Sequence, residues 1–279
     1  MESVDLMWGR EVYDSARQPP PLADEFLSLL RYRDLVAQWI ARSVKTRYKR
    51  SLLGVAWTMV NPLLTMAVLT VVFSRLFRTP VRDYPLYVLS GLLLWNFVAQ
   101  STTAAMGELV WSGGLLGRAF VPKAVFAVSA VGTGLVNLIL ALIPYAVISL
   151  LLGVEITSAW LLLPLPILIA AAFALGLGLL VSTAAVYFAD VMPTYDVLLM
   201  AWLYLTPVIY SMELLPPGVR TLLQINPMVH LIGAFRSVIY EGQPPEGGTL
   251  LMAGFTALGM LALGWWTFTR KARDFAYRL

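Results

Sequence analysis

Residues 156–189 read ITSAWLLLPLPILIAAAFALGLGLLVSTAAVYFA and contain no charged side chain. The stretch is longer than the roughly 20 apolar residues that a membrane-spanning helix needs. The chain contains five similar stretches, and all of its 20 basic and 16 acidic residues lie outside these six apolar runs. Charge is costly inside a bilayer, so this placement indicates membrane spans. The other five stretches are 52–73, 85–106, 124–153, 197–212 and 249–269.

The fold predicted from this pattern is an all-α integral membrane protein with six transmembrane helices. Of the 279 residues, 59% are hydrophobic and 13% charged, against about 45–50% and about 25% in soluble domains. The runs do not alternate between polar and apolar residues, so they favour helices over a membrane barrel. The absence of cysteine excludes disulfides, and the single histidine excludes a histidine metal cluster.

Basic residues predict the orientation, because lysine and arginine are retained on the cytoplasmic side. Fifteen of the 20 fall on the side that holds both chain ends, and both termini are therefore predicted to be cytoplasmic. The first 51 residues lack the apolar core of a signal peptide, so we expect the first span to direct insertion. The five basic residues on the opposite face are Arg75, Arg78, Arg82, Arg220 and Arg236.

Domain boundaries follow from composition. Residues 1–21 are predicted to be a flexible cytoplasmic tail ending in three prolines, 52–269 the membrane domain, and 270–279 a second cytoplasmic tail. Residues 22–51 have the period of a basic amphipathic helix, which we expect to lie in the cytoplasmic interface. This helix is either an orientation anchor or a lever that couples the membrane domain to a cytosolic partner.

Two connectors are too long for simple turns. The cytoplasmic connector 107–123 contains a glycine pair and is expected to form short helical pieces, either a docking site or an interfacial loop anchored by Trp111. The external connector 213–248 holds two apolar runs separated by Asn226-Pro227, each too short to span. We interpret them as re-entrant half-helices that form an external gate before the last span, or alternatively as an interfacial cap on the bundle.

The sequence excludes several kinds of chemistry. It contains no G-x-x-x-x-G-K-[ST] phosphate loop, and no two acidic residues adjoin within a span to hold a catalytic metal. The spans also lack the acid, histidine or lysine that proton-coupled transporters use. Transport driven by an external energy source is therefore favoured over ion coupling.

Aromatic and amide side chains stand within the spans. Their flat apolar faces and hydrogen-bonding groups suit sugar rings, although aromatics also favour membrane interfaces whatever the function. Small residues Ala172, Ala174, Gly176 and Gly178 predict close helix contact. The aromatic set is Trp57, Trp95, Phe97, Trp202, Tyr204 and Tyr210, and the amide set is Asn61, Asn96, Gln100 and Asn137.

From about residue 25 to its end, the chain resembles the permeases of type-2 ABC exporters for lipid-linked polysaccharides (O-antigen, Wzm-type) and teichoic acids. One departure is Ala189, where the family usually has arginine before the aspartate. The matching motifs, in order, are residues 47–54 with Trp57 and Asn61-Pro62, Gly91 with Trp95-Asn96-Phe97, residues 120–123, Tyr187-Phe188 with Asp190, residues 206–210, Asn226-Pro227, and Phe235-Arg236.

The resemblance implies a homodimer with two separate ATPase subunits in a bacterial cytoplasmic (inner) membrane. ATP and magnesium would be bound by those subunits, with no cofactor and no catalytic residue on this chain. The substrate would be a polymer on a polyprenyl diphosphate carrier, such as a lipopolysaccharide precursor, moved outward. Membrane lipids are further expected partners, and nucleic acid is not.

The resemblance also implies roles for individual residues. Arg33, Arg47 and Arg50 would steer the diphosphate, although ordinary positive-inside charge explains them equally well. Asn226, Pro227 and Arg236 would belong to the external gate. Contacts with the ATPase subunits are expected from Arg42, Lys45, Glu108, Trp111, Arg118 and Lys123.

Two alternatives remain at this point. A type-2 ABC permease for a small hydrophobic drug or lipid would also use an aromatic channel. A membrane-embedded glycosyl- or acyltransferase would need an acidic or histidine catalytic cluster, which the sequence does not display.

Overall fold

The computed structural model describes residues 21–47, 54, 56–76, 83–111 and 122–278, and every regular element within these ranges is helical. Short 3₁₀ turns occur at Ser158–Leu162, Met212–Leu214 and Ala272–Asp274. The α-helices of the described residues are α1 (Pro21–Arg31), α2 (Arg33–Arg47), α3 (Ala56–Leu76), α4 (Tyr84–Trp111), α5 (Ala124–Leu151), α6 (Pro164–Tyr187), α7 (Val191–Tyr204), α8 (Pro217–Leu223), α9 (Pro227–Ile239), α10 (Gly247–Lys271) and α11 (Phe275–Arg278).

Within the described ranges, three helices are long and apolar enough to cross a membrane on their own. They are α5, α6 together with its preceding 3₁₀ turn, and α10. The pair α8 and α9, bent by 92°, raises the number to four if it forms one broken span. The chain is therefore a multi-pass helical membrane protein. Six spans remain a prediction, since α3, α4 and α7 are not among these three helices.

Helix α6 lies at the centre of the bundle, where it packs most extensively against α10 and α4. Gly176 of α6 and Gly264 of α10 bring the two backbones into contact, since a side-chain carbon on either glycine would overlap backbone atoms of the other helix. The close approach predicted from the small residues of this span is confirmed at Gly176. Small residues at such crossings allow backbones to approach closely.

The amphipathic segment is two helices, not one. Helices α1 and α2 meet at Tyr32, and α2 packs against α5. Trp39 meets Phe126 edge to face, with 5.4 Å between ring centroids, and Ile40 lies against Gly132. The apolar side chains at these positions thus contact the bundle itself.

Two helices differ from the predicted bounds. Helix α4 continues without a break through Gly107 to Trp111, so the start of the expected connector is helical, and residues 112–121 lie outside the described residues. Helix α7 begins at Val191 and ends at Tyr204, which means that the apolar run 197–212 is not one helix. Pro207 has no N–H to donate and disfavours helical backbone in the residue before it, which accounts for the early end.

Candidate functional site

A cavity of about 270 Å³ opens between α3, α4 and α5. We name it the amide pocket, because four amide side chains line it together with two aromatic rings, and none of its described lining residues is charged. Each amide offers two N–H donors and a carbonyl acceptor. The six polar and aromatic lining residues are Trp57, Asn61, Asn96, Phe97, Gln100 and Asn137.

The local sequence explains how these side chains converge. Residues four apart on a helix lie on the same face, one above the other. Trp57 and Asn61 have this spacing on α3, as do Asn96 and Gln100 on α4. Asn137 completes the lining from α5. Trp57 is 50% exposed, so its ring is accessible to a ligand.

Of the six predicted channel aromatics, all of them described, only Trp57 and Phe97 line the amide pocket. Trp95 is 5% exposed and packs edge to face against Trp202, with ring centroids 5.7 Å apart. Trp95 is therefore buried, and Trp202 is partly buried. Tyr204, at the end of α7, is largely exposed, and its carbonyl accepts a hydrogen bond from the half-buried Tyr210 hydroxyl at 3.0 Å.

The segment 205–210, which follows α7, is not helical and needs hydrogen-bond partners for its carbonyl groups. Side chains from three other parts of the chain donate to these groups. We name Tyr84, Tyr87, Asn226 and Arg236 the donor cluster. The bonds run from Asn226 Nδ2 to the Leu205 carbonyl (3.1 Å), from Arg236 Nη1 to that of Pro207 (3.1 Å) and Nη2 to that of Val208 (3.3 Å), from Tyr84 to that of Ile209 (2.8 Å), and from Tyr87 to that of Tyr210 (3.0 Å).

Arg236 lies inside the protein with 7% of its surface exposed. Its Nε donates to the Ser90 hydroxyl at 3.2 Å, and its Nη2 also donates to the Tyr87 carbonyl at 3.2 Å. The guanidinium carbon lies 3.7 Å from the centroid of the Tyr87 ring, which is a cation–π contact. Arg236 is predicted from the sequence to be a charge of the external face, and it stands at a buried junction of α4, α9 and the segment 205–210.

Asn226 fixes the bend between α8 and α9. Its Oδ1 accepts from the Met228 N–H at 3.0 Å, as an N-cap does, and from the Trp202 indole N–H at 2.9 Å. Its Nδ2 also donates to the Thr206 hydroxyl at 2.9 Å. Pro227 occupies the first position of α9, where its missing N–H has no helical partner to lose.

At the end of the bundle where α5 begins, α1 contributes a carboxylate cap. Glu25 Oε1 accepts a hydrogen bond from the Ala124 N–H at 3.1 Å. Lys123 donates from Nζ to the Ala272 carbonyl, and its ammonium nitrogen lies 5.7 Å from the centroid of the Phe275 ring. Burial lowers the pKa of Lys123, while Glu25 and Asp274 partly oppose that effect. The sequence did not predict a role for Glu25 or Ala272, because their contacts with Ala124 and Lys123 join distant parts of the chain.

The remaining predicted site residues are mostly on the surface. Arg33 is exposed, with its Nε 4.0 Å from Asp34 Oδ1, and the structure describes the helical position of Arg47 but not its side chain. Arg42 is exposed above the Trp39 ring, with 5.6 Å from its guanidinium carbon to the ring centroid, and Lys45 is exposed.

Two further predicted residues belong to α4, and two lie outside the described residues. Glu108 and Trp111 lie in the last turn of α4, and Trp111 is 79% exposed. Arg50 and Arg118 lie outside the described residues.

A multi-pass helical chain with a polar pocket among its helices has the architecture of a membrane transport protein. Residues 35–240 match the family described as "ABC-2 type transporter", which covers most of the chain. The chain belongs to this family. It is therefore a component of a transporter and not an enzyme.

Several named proteins are similar to the chain over most of its length. The O-antigen export system permease protein RfbA of Myxococcus xanthus is 29% identical over 250 residues, which are 89% of this chain and 96% of that protein. The RfbA permease of Klebsiella pneumoniae is 25% identical over 75% of this chain and 81% of its own length. The polysialic acid transport protein KpsM of Escherichia coli is 21% identical over 80% of this chain and 88% of its own.

Proposed function

We propose that this chain is the membrane-spanning subunit of an ATP-driven exporter that moves a lipid-linked polysaccharide out across the bacterial cytoplasmic membrane. The names of its relatives, which include O-antigen export permeases, support a glycan substrate. The structural observation that carries the proposal is the amide pocket, with its uncharged amides beside an accessible Trp57.

The chemistry of this pocket suits a sugar unit. A sugar ring presents C–H groups on its faces, which pack on an aromatic ring, and hydroxyl groups around its edge, which both donate and accept hydrogen bonds. Amides supply both kinds of partner, as Asn61, Asn96, Gln100 and Asn137 do here. The volume of about 270 Å³ is near the lower end of the range of about 300–1,000 Å³ for ligand sites. The pocket therefore suits one unit of a polymer at a time.

The energy source would be a separate pair of ATPase subunits that bind ATP and magnesium, joined to a homodimer of this chain. The absence of a phosphate loop from the sequence supports this division of labour. The ATPase contacts would include Arg42, Lys45, Glu108, Trp111, Arg118 and Lys123. Glu25 of α1 accepts a hydrogen bond from Ala124, the residue next to Lys123, at the start of α5. A movement of α1 would therefore be transmitted directly to α5.

The membrane topology in this proposal has six spans, formed by α3, α4, α5, α6, α7 and α10, with both termini in the cytoplasm. The bent pair α8 and α9 would enter from outside as re-entrant half-helices and form the external gate with Asn226, Pro227 and Arg236. The donor cluster supports this assignment, because it supplies partners for non-helical backbone that would lie at membrane depth.

The lipid carrier would be oriented at the opposite end. Arg33, Arg47 and Arg50 would steer its diphosphate, since guanidinium groups form paired hydrogen bonds with phosphate oxygens. In this scheme the charged head group and the sugar chain contact different parts of the permease.

A small hydrophobic drug is a less suitable substrate for this pocket. Such a ligand would bury the amides of Asn61, Asn96 and Gln100 without supplying hydrogen bonds, and burying an amide without a compensating hydrogen bond costs about 1–3 kcal/mol on mutational scales. A hydroxyl-rich ligand avoids that cost.

Depletion of the chain in its native bacterium tests the function. We expect surface polysaccharide to fall and lipid-linked polymer to accumulate inside the cell. Complementation with the double variant Gln100→Leu, Asn137→Leu should restore about tenfold less export than the unchanged chain, as expected for two lost hydrogen bonds of about 0.5–1.5 kcal/mol each.

The matched control is Ile143→Leu on the exposed side of α5, which should restore export fully. Membrane levels of each variant are measured by immunoblot, so that loss of protein is separated from loss of transport. Unchanged surface polysaccharide after depletion would overturn the proposed function.

A further inference from the structure

We propose that the outer face of α10 binds an anionic phospholipid, with its acyl chains along an apolar stripe of the helix and its head-group phosphate at Arg270 and two neighbouring cations. This surface is separate from the amide pocket, since α10 packs on α6, α9 and α1, whereas the pocket lies between α3, α4 and α5. Lipid binding at α10 is therefore independent of the transported substrate.

Exposed side chains form one stripe along α10. At about 3.6 residues per turn, the exposed large apolar side chains and Arg270 fall within about 140° of the helix circumference. The buried residues Ala253, Ala257 and Gly264 lie on the opposite side, toward the bundle. Of the three described helices that could each cross a membrane, α10 is the least buried. The stripe consists of Leu251, Met252, Phe255, Leu258, Leu263 and Trp266, and it ends at the exposed Arg270.

The length of the stripe matches a bilayer. From Leu251 to Arg270 the helix extends about 28 Å, at a rise of about 1.5 Å per residue. The hydrocarbon core of a bilayer is about 30 Å thick. The apolar side chains therefore lie at the depth of acyl chains, and Arg270 lies where the head groups begin. In the proposed topology this is the cytoplasmic side, where anionic lipids give the leaflet a negative surface potential.

Trp266 and Arg270 form the first part of the head-group site. The guanidinium carbon of Arg270 lies 4.1 Å from the centroid of the Trp266 ring, and both side chains are exposed. Tryptophan favours the membrane interface. The contact with the indole holds the guanidinium beside the helix, and the planar set of N–H donors suits phosphate oxygens.

Two further cations lie beside the end of α10. Lys271 Nζ and the guanidinium carbon of Arg278 are 5.5 and 4.3 Å from the centroid of the Tyr187 ring, so this one ring of α6 brings both charges together. The Tyr187 hydroxyl donates to Asp274 Oδ2 at 2.9 Å, which fixes the ring.

The charge of this region remains positive when its acidic residues are included. Residues 270–278 contain four basic residues and one acidic residue, Asp274. Asp190, in the turn after α6, adds a second acidic residue. The basic residues still outnumber the acidic ones by two, so the region attracts an anionic head group.

A lipid suits this face better than a second copy of the chain does. In a dimer with a two-fold axis along the membrane normal, the same surface of each copy meets, and the basic ends of the two α10 helices would adjoin. Like charges at short distance repel each other. A lipid phosphate brings the opposite charge to the same place, and its acyl chains cover the apolar stripe.

The test uses the full chain, purified in detergent in the assembly that it forms, and native mass spectrometry, which resolves each bound lipid. The probes are dioleoyl phosphatidylglycerol and dioleoyl phosphatidylcholine, which share their acyl chains and differ in net charge. Glycerol 1-phosphate, which has a phosphate and no acyl chain, serves as a soluble competitor. The Kd of the first bound lipid is measured.

We expect phosphatidylglycerol to bind at least about tenfold more tightly than phosphatidylcholine. Arg270→Gln should weaken phosphatidylglycerol binding about fivefold, as expected for one basic residue at the membrane surface, and should change phosphatidylcholine binding less than twofold. The control Arg31→Gln removes the same charge from an exposed position at the end of α1 and should leave both Kd values within about twofold. Glycerol 1-phosphate should not displace the lipid.

Equal affinity for the two lipids would overturn the proposal. So would equal effects of Arg270→Gln and Arg31→Gln, because general positive charge would then explain the binding. Displacement by glycerol 1-phosphate would assign the site to small phosphates and not to lipids.

Should Arg270→Gln fail to fold, the unchanged chain decides the matter. Its preference for phosphatidylglycerol must fall in 1 M ammonium acetate, which screens charge, and a preference that persists would contradict the proposal. The depletion experiment measures export and gives its result independently of lipid binding, so the failure of either proposal is recognised separately.

Discussion

The guanidinium of Arg236 occupies the space beside Gly91, where a Cβ atom would lie 2.6 Å from Nη2. Gly91 lies in α4 and Arg236 in α9, so the absence of one side chain provides room for another that is distant in sequence. The same guanidinium donates four hydrogen bonds to α4 and to the segment after α7. The glycine and the arginine therefore form one structural unit.

Gly91→Ala should destabilise the protein, since the added carbon would displace the buried guanidinium. Overpacking of this kind costs about 1–3 kcal/mol. We expect a lower Tm in detergent, measured by the change in tryptophan fluorescence. Gly254→Ala, in α10, is the matched control, because a Cβ atom added at Gly254 would meet no atom within 4 Å. Equal Tm values for both variants would contradict the assigned packing.

Gly264→Leu should separate α6 from α10, because backbone atoms of Gly176 occupy the space that the new side chain needs. Because the obstructing atoms are backbone and not flexible side chains, we expect little correctly folded protein in size-exclusion chromatography. Gly259→Leu introduces the same side chain in the same helix where no atom lies within 4 Å. Its yield should match that of the unchanged chain, since leucine favours a helix more than glycine does. Equal losses in both variants would contradict the assigned contact.

Asn226→Ala should loosen the bend between α8 and α9. The change removes an N-cap, which is worth about 0.5–2 kcal/mol, along with the bond from Trp202 and the donors to Leu205 and Thr206. We expect faster amide hydrogen exchange in the first turn of α9 and in residues 205–210. Trp202→Phe removes the indole hydrogen bond but keeps the N-cap and the two donor bonds of Asn226, and it should therefore change exchange less. Protection that is unaltered in Asn226→Ala would exclude the proposed role of this side chain.

Lys123 predicts a pH dependence of stability. Burial lowers its pKa below the ordinary value of 10.5, so the folded protein releases this proton at a lower pH than the unfolded chain does. Because the unfolded state then binds more protons, stability rises with pH between the lowered pKa and 10.5. The Tm of the unchanged chain should therefore rise relative to that of Lys123→Met on going from pH 8 to pH 10. A difference that stays constant, or that moves the other way, would contradict the assignment.

The lining of the amide pocket could be predicted in part from residue type. Asn61, Asn96, Gln100 and Asn137 were selected as polar groups within apolar runs, and all four line one cavity. The aromatic residues were less predictable. Trp57 and Trp95 have the same side chain and similar apolar neighbours, yet one is half exposed and the other buried. The difference arises because Trp202 of α7 packs on Trp95. The residue pattern of one helix does not specify which other helix packs against it.

Arg236 also depends on partners that are distant in sequence. The sequence predicts a charge on the external face, in keeping with the cost of charge inside a bilayer, and does not identify the groups that it contacts. The structure satisfies it with neutral oxygens and an aromatic ring. Tyr84 and Tyr87 were not predicted to take part in this arrangement, because their partners are backbone carbonyls of a segment more than a hundred residues away.

By itself, the sequence determined the helical membrane class, the lack of a nucleotide loop and the presence of amide side chains within the apolar runs, because composition and hydropathy are local properties. Only the tertiary structure decided which aromatics are accessible and how the carbonyls of residues 205–210 are satisfied. Those outcomes depend on which helix faces meet. Packing between distant segments sets which faces meet. The hydrogen-bond partners and the buried surfaces of these residues lie on segments that are far away in the sequence.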